Sequence, residues 1–485
     1  MEYTDFIAVI DLGTSHIVGM VGTKNQDDVL SIIAYDSEKS EACVRRGCVY
    51  NGEETANKVI RLIKKLENKL GGSKIAKLYI GVGGQSVRTL DHMVPKTLGD
   101  EGEVTQDLLR QLEDECRNYK PSSLDILDIA DPVYVLDGKE EVNPLSLTCS
   151  RIEAHYKLIV GKPAIKTSLM TNLAERIKIP VVGLLLSPLA LSDMFMSSLD
   201  KRAAVLIDFG AGVTSVTIFK AGHLLSMTVI PLGAHLITRD LMAAFNVSEN
   251  EAERLKRTYG SALPLDLAKE GEKVDVHKVD DYHIQEVPLY DINEVVEARS
   301  REILENVYAR LEEAGIAKDS SFSVTITGAG SLLNHLQEAI SQRFKMSVHY
   351  PSVRDDMMDS AAKMIANNQE FATAVALLLK GKENCAYVYK PEPKPEPKSK
   401  PAPQPVPEFV KSPLEPSVEV EKNRKKKQQL LKLAIIQEVD VQAVAPKKQL
   451  GGKNLGKKSM GNWIRRISLV VKTNIKGNKQ WTIIC

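Results

Sequence analysis

One unit occurs twice in this chain and constrains its fold more than any other feature. It is an apolar strand ending in an aspartate, then a glycine turn, then a second strand. The first copy runs from Phe6 to Gly22, with Asp11 at the strand end and Gly13, Thr14, Ser15 and His16 in the turn. The second runs from Ala203 to Phe219, with Asp208 at the strand end and Gly210, Ala211, Gly212 and Thr214 in the turn. Either copy alone reads equally well as a tight β-turn with an Asx cap. Two copies suggest an internal duplication and a cleft with an acidic residue on each side. Glycine lets the backbone approach phosphate oxygens closely, and the hydroxyls of Thr14 and Ser15 add donors. Asp11 and Asp208 are the candidate catalytic and metal-binding residues, offering hard oxygen ligands to Mg²⁺ or its waters. The GxxxxGK[ST] phosphate loop and its lysine are absent.

A third glycine turn lies at Val324–Leu333 (VTITGAGSLL). Its strand ends in Gly328, Ala329, Gly330 and Ser331, and a helix is expected from Leu332 to Phe344. Such a turn offers helix-start N–H groups and bare backbone for a base or ribose. Further strands are expected at Leu78–Val82 and Ser323–Thr327. Helical periodicity marks Ala56–Leu70, Gln106–Tyr119, Pro163–Lys178, Glu249–Tyr259 and Glu294–Glu312. Alternating strands and helices place the folded part, about residues 3–389, in the α/β class.

The chain has 485 residues, room for two or more domains. A net charge of +1 makes the whole molecule no polyanion binder, but the charge is uneven. No acidic residue follows Asp440, whereas Lys and Arg recur from Lys447 to Lys479, so the tail is expected to meet an anionic partner. The first residues lack the basic-then-apolar pattern of a secretory signal, no apolar run is long enough to span a bilayer, and the six cysteines form no CxxC pair. The expectation is a cytoplasmic protein with reduced thiols.

The order of the three turns resembles the two phosphate motifs and the adenosine motif of the superfamily of actin, heat-shock chaperones and sugar kinases. Glu251–Thr258 (EAERLKRT) looks like the chaperone helix that grips adenosine. By that resemblance Glu253 and Lys256 would meet ribose hydroxyls, and Arg257 would lie against the base. Within the superfamily, four stretches resemble the FtsA family of bacterial division proteins. They are Asn143–Leu145 (NPL) with Arg151–His155 (RIEAH), Val229–Asp240 (VIPLGAHLITRD), Asn293–Ile303 (NEVVEARSREI) and Ile80–Ser86 (IGVGGQS).

The resemblance implies an actin-like two-lobed ATPase fold, built from duplicated ribonuclease H-like domains, with ATP and Mg²⁺ between the lobes. The first lobe would comprise 1–84 and 159–202, with a family-specific subdomain inserted at 85–158. The second would comprise 203–240 and 320–389, with 241–319 as its upper subdomain. It also implies docking of the C-terminal peptide of the tubulin-like ring protein FtsZ near Arg299 and Glu302, self-association into filaments, and recruitment of later division proteins. Two departures stand out. Ala211 and Ser215 replace a glycine and an aspartate of the DIGGGTTD pattern. Ser187 stands where the chaperone ATPases carry a glutamate that helps activate water. A serine is no general base near neutral pH without help, so slow hydrolysis at most is expected.

The composition changes at residue 390. A Pro/Lys-rich stretch over 390–456 cannot bury a core and is expected to be a disordered, extended linker. Residues 457–472 then carry helical periodicity. Met460, Trp463, Ile464, Ile467, Val470 and Val471 fall within roughly 120° on the helical wheel, with Leu469 on the other side. Lys457, Lys458, Arg465, Arg466 and Lys472 lie off that arc. This predicts a C-terminal amphipathic helix lying on anionic membrane lipid. Together with the family resemblance it implies a peripheral protein at the cytoplasmic face of the division septum. Residues 473–485 remain unassigned. Three rivals stay open: a small-molecule kinase, a chaperone ATPase, and an actin-like shape or pilus-assembly protein. Nucleic acid is not an expected partner, since the core shows no aromatic platform for it.

Overall fold

The computed structural model describes residues 4–264, 269, 271–279, 284–354, 356–387, 471–475 and 478–482. The chain divides into two units, Met1–Lys394 and Pro395–Cys485.

The first unit is mixed α/β and contains two half-sheets of one design. In the first half-sheet, Ile7–Leu12 pairs antiparallel with His16–Lys24, which pairs antiparallel with Leu30–Lys39. On its other side Ile7–Leu12 runs parallel to Leu78–Val82, and that strand runs parallel to Val181–Leu186. The second half-sheet repeats this. Ala203–Phe209, Thr214–Lys220 and His223–Ile230 are antiparallel neighbours, and Ser323–Thr327 and Ser347–His349 continue the sheet in parallel. The duplication therefore extends from the turns to entire sheets. Each aspartate stands at the carboxyl end of its central strand, the end at which parallel strands of open α/β sheets place their ligands.

Local sequence explains these elements. IAVIDL and AAVLIDF are near-continuous apolar runs, suited to strands covered on both faces. Helix Gly52–Lys69 is N-capped by Asn51, whose side chain accepts from the Glu54 N–H. Leu62 and Leu66 of this helix press on Gly19, where a Cβ would lie 2.9 Å from Leu66 Cδ1. On Gly22 a Cβ would lie 3.1 Å from Leu378 Cδ1, from helix Ala372–Lys380. Gly19 and Gly22 thus let two helices settle close to the sheet.

The segment after Val82 builds a long antiparallel pair, Arg88–Glu103 with Thr148–Gly161, and helix Gln106–Asn118. It has its own apolar cluster, including Val94, Leu112, Cys116, Ile152 and Leu158. Its chain enters and leaves through strands of the first half-sheet, yet its own sheet joins the edge of the second. Arg88 pairs with Thr228 there, and the Val229 N–H donates to the Val87 carbonyl at 3.0 Å. A further cluster, including Leu241, Leu255, Val276, Ile292 and Val296, packs helices His235–Phe245, Glu249–Tyr259 and Leu289–Glu313 on the hairpin Lys273–His277/Ile284–Pro288.

Two expectations need correction. The helix after the third glycine turn does not begin at Leu332. A 3₁₀ turn covers Ala329–Leu332, and the α-helix is Leu336–Phe344. Asn334 is the reason: its carbonyl accepts from the Ala262 N–H at 2.9 Å, and its side chain donates to the Gly260 carbonyl at 3.0 Å. Those bonds hold it outside the helix. The segment expected to be helical over Pro163–Lys178 is α-helical only at Ala164–Lys166 and Ala174–Ile177, with a π-helical stretch at Thr167–Leu173 between them.

In the second unit the strands Val471–Ile475 and Asn478–Thr482 form an antiparallel hairpin. Val471 and Lys472, the last two positions of the expected amphipathic helix, are therefore strand, and the β-branched run Val471, Thr473 and Ile475 favours it. Met460, Trp463, Ile464, Ile467 and Val470, and the expected linker at 390–456, lie outside the described residues. No helix among the described residues is long and apolar enough to cross a membrane.

Candidate functional site

The two acid-tipped turns meet. A Cβ on Gly212 would stand 2.3 Å from Thr14 Oγ1, so the second turn touches the first at a position that only glycine permits. Asp11 feels the charge of Asp208 across this contact. Both carboxylates keep a little accessible surface but are enclosed on nearly all sides. Burial, and then the charge of Asp208, pushes Asp11 up to about 7. Burial alone pushes Asp208 up to about 6.

Backbone bonds hold each turn in shape. Ser40 Oγ donates to the Gly13 carbonyl at 2.6 Å, and the Ser40 N–H donates to the Ser15 carbonyl at 2.8 Å. The Gly47 N–H donates to Thr14 Oγ1 at 3.0 Å. Ser15 Oγ lies 2.9 Å from His16 Nδ1 on the exposed side of the turn. In the second turn the Gly210 N–H donates to the Val213 carbonyl at 3.0 Å. The Ala234 and His235 N–H groups donate to the carbonyls of Gly210 and Ala211 at 3.0 and 2.8 Å. Gly233 is tightly confined, since a Cβ there would lie 2.5 Å from the Ala211 carbonyl oxygen. Thr214 Oγ1 is turned inward and donates to the Leu232 carbonyl at 2.8 Å, leaving it no freedom to face a ligand.

The third turn packs on the second. Gly328 has φ +84°, the left-handed region that glycine tolerates. A Cβ there would lie 2.3 Å from Asp208 Oδ1, and one on Gly330 would lie 2.7 Å from the Phe209 carbonyl oxygen and 2.9 Å from Ala234 Cβ. Ser331 is fully buried and donates to the Gly328 carbonyl at 2.7 Å, so its hydroxyl shapes the turn.

Helix Glu249–Tyr259 reaches the same place. Lys256 Nζ donates to Glu253 Oε2 at 2.7 Å, to Thr238 Oγ1 at 3.0 Å and to the Ala234 carbonyl at 3.5 Å. Burial lowers the pKa of Lys256, and Glu253 offsets that only in part. For Glu253 burial acts upward, but the Lys256 charge and hydrogen bonds from Lys256, Thr238 and Arg257 outweigh it and hold the carboxyl below its usual range. Arg257 is largely exposed and bonds Glu253 Oε1 at 3.0 Å.

Sequence reasoning missed three contributors. Gln369 Oε1 accepts from the Gly328 N–H at 2.8 Å and from Thr327 Oγ1 at 2.9 Å, tying the third turn to the loop before helix Ala372–Lys380. Thr238 completes the Lys256 network. Gly81 lies beside Asp11, and a Cβ there would be 3.1 Å from Asp11 Oδ1. Glycine and polar residues in loops are too common for any of these to stand out from sequence alone.

Arg299 and Glu302 lie away from the turns, on helix Leu289–Glu313. Arg299 forks onto Asp240 of helix His235–Phe245, with Nε to Oδ2 at 2.5 Å and Nη2 to Oδ1 at 3.1 Å, and also bonds Glu302.

A family model described as cell division protein FtsA matches residues 205–376. The cell division protein FtsA of Porphyromonas gingivalis is 29% identical over 381 residues, covering 78% of this chain and 78% of that protein. That of Bacillus subtilis is 29% identical over 364 residues, covering 73% of this chain and 81% of that protein. Among solved structures, a PilM–PilN type IV pilus biogenesis complex shares the fold at TM-score 0.54 and 16% identity, covering 78% of this chain and 98% of that one. The duplicated sheets and the meeting turns give the chain an actin-like fold, and over about three quarters of its length it is similar to FtsA cell division proteins.

Proposed function

We propose that the cleft binds ATP with Mg²⁺, and that the protein uses this state in tethering FtsZ to the cytoplasmic membrane during division. The observation that carries the nucleotide reading is the meeting of the two turns, Thr14 on Gly212, with Asp11 and Asp208 beside them. Magnesium bound with nucleotide characteristically uses one or two carboxylates and takes its other ligands from phosphates and water. Two enclosed carboxylates whose burial disfavours their charge fit that donor set, because a cation there restores the charged form. When bound, the cation would screen the phosphates and polarise the terminal one. Backbone N–H groups of the turns at Gly13–Ser15 and Ala211–Gly212 would hold the phosphates, while that of Gly210 braces its own turn. Gly328–Gly330 and the Glu253–Lys256 pair would hold the adenosine.

Hydrolysis is expected to be slow, because the residue at the strand end beside Asp11 is Ser187 and not a carboxylate. Thermal shift with ATP, with and without Mg²⁺, tests the reading: no change in melting temperature with either would end it.

The tether has two further parts. The Arg299–Asp240 fork is a ready recognition point for a peptide carboxylate, which would compete with Asp240 for the guanidinium. The basic, apolar periodicity of 457–472 supports the lipid contact. Several copies on a filament would bind lipid better than one through avidity. Recruitment of later division proteins through the inserted segment belongs to the same reading. A pull-down against the FtsZ C-terminal peptide checks the partner, and failure of the intact protein to retain it would remove the tether from this reading.

A further inference from the structure

The inserted segment leaves the first half-sheet after Val82, through Gly84–Ser86, and returns after Gly161, through Lys162. Both joints line one cavity of about 180 Å³. Its body is apolar, with Leu12, Val82, Ile165 and Leu169 all buried around it. Cys48, from the hairpin Val44–Arg45/Cys48–Val49, completes the lining. A Cβ on Gly84 would lie 2.6 Å from Cys48 Sγ, so glycine at the outgoing joint makes room for that thiol.

The walls carry features that close packing alone does not require. Leu169 belongs to the π-helical stretch Thr167–Leu173, and such stretches gather at functional sites. Ser86 has φ +82° and Arg46 has φ +51°, left-handed conformations that cost a residue with a side chain. The Gln85 N–H ties the two together by donating to the Arg46 carbonyl at 2.9 Å. Lys162 stands at the mouth. Its backbone N–H donates to Ser86 Oγ at 3.3 Å, while its ammonium makes no hydrogen bond or ion pair among the described residues. The charge of that ammonium reaches the Cys48 thiol.

We propose that this cavity binds a small apolar carboxylic acid of about single-ring size, its body among Leu12, Val82, Ile165 and Leu169 and its carboxylate on Lys162. The volume sets the size, since an apolar cavity of about 150 Å³ takes up benzene. The unpaired ammonium sets the charge, because a carboxylate there supplies the charge-assisted bond that the protein does not. Asp11, Thr14, Asp208 and Gly212 do not line the cavity, so the inference goes beyond the nucleotide reading and stands apart from it. An occupant would touch both joints of the inserted segment at once.

The test uses the full chain and follows alkylation of Cys48 by iodoacetamide, read on its own peptide by mass spectrometry. The probes are benzoate, benzyl alcohol and inorganic phosphate. Benzoate is expected to slow the alkylation of Cys48 to a saturable limit. Benzyl alcohol should need a several-fold higher concentration for the same effect, and phosphate should have none. Lys162→Ala is expected to bring benzoate and benzyl alcohol to the same concentration. Ser168→Phe, which fills the cavity from the π-helical wall, should slow the alkylation by itself and leave benzoate no further effect. Absent or unsaturable slowing by benzoate overturns the proposal. Equal potency of benzoate and benzyl alcohol in the wild type overturns it as well, and so does a benzoate effect that survives unchanged in Lys162→Ala. Protection by phosphate as strong as that by benzoate would show a site for bare anions and overturn it too.

Discussion

At the scale of single residues, the cleft depends on places where no side chain fits. Gly212→Ala would set a Cβ 2.3 Å from Thr14 Oγ1 and force the two turns apart. We expect at least a tenfold loss of nucleotide affinity, about 1.4 kcal/mol or more, measurable by calorimetry. The enclosed carboxylates add a pH signature. An unfolded aspartate titrates near 3.8, whereas Asp11 in the fold is raised to about 7. Between those values the folded state binds more protons than the unfolded one, so this group makes stability fall as pH rises through the window. The nucleotide-free protein should therefore lose less stability between pH 5 and pH 8 when Asp11 is replaced by Asn. A melting series that shows the same slope in both proteins would contradict the enclosure of Asp11.

At the scale of elements, helices are joined by a few polar side chains. Lys256 links helix Glu249–Tyr259 to helix His235–Phe245 through Thr238 and Ala234. Lys256→Met would leave Glu253 without its closest cation, and we expect a stability loss of about 1–3 kcal/mol in urea titrations. Gln369 joins the third turn to the loop before helix Ala372–Lys380 with one carbonyl. Gln369→Leu keeps the bulk but strands the Gly328 N–H. A similar loss is expected, and nucleotide should recover less of it than in the wild type, since the turn it would rest on is loosened. Arg299 joins two helices in the same manner, so Arg299→Ala is expected to abolish retention on the FtsZ peptide while also lowering the melting temperature. Arg299→Lys separates the effects, because it keeps the charge and loses the bidentate fork.

At the scale of the whole molecule, duplication has a mechanical consequence. Two half-sheets of the same design present their carboxyl-terminal ends, and thus Asp11 and Asp208, to one space. The sheet of the inserted segment is bonded to the second half-sheet while its chain belongs to the first. A movement that separates the half-sheets must be taken up either in the chain connections of that segment to the first half-sheet or in the Arg88–Thr228 pairing. The proposed membrane contact belongs to this scale as well. Protein cut before Gly451 is expected to lose flotation with anionic vesicles while retaining ADP affinity, and undiminished flotation would exclude 457–472 as the anchor.

The sequence alone determined the strands that carry Asp11, Asp208 and Gly328, the repetition of their turns, and helix Glu249–Tyr259. Each of these follows from local periodicity and from glycine in positions that other residues reject. Only the tertiary structure decided that Asn334 delays the helix after the third turn, that Thr214 and Ser331 spend their hydroxyls on the backbone, and that Gln369, Thr238 and Gly81 belong to the site. The physical reason is distance along the chain. A hydrogen bond between residues 328 and 369, or the close approach of Gly81 to Asp11, leaves no periodicity in sequence and exists only once the sheets are assembled.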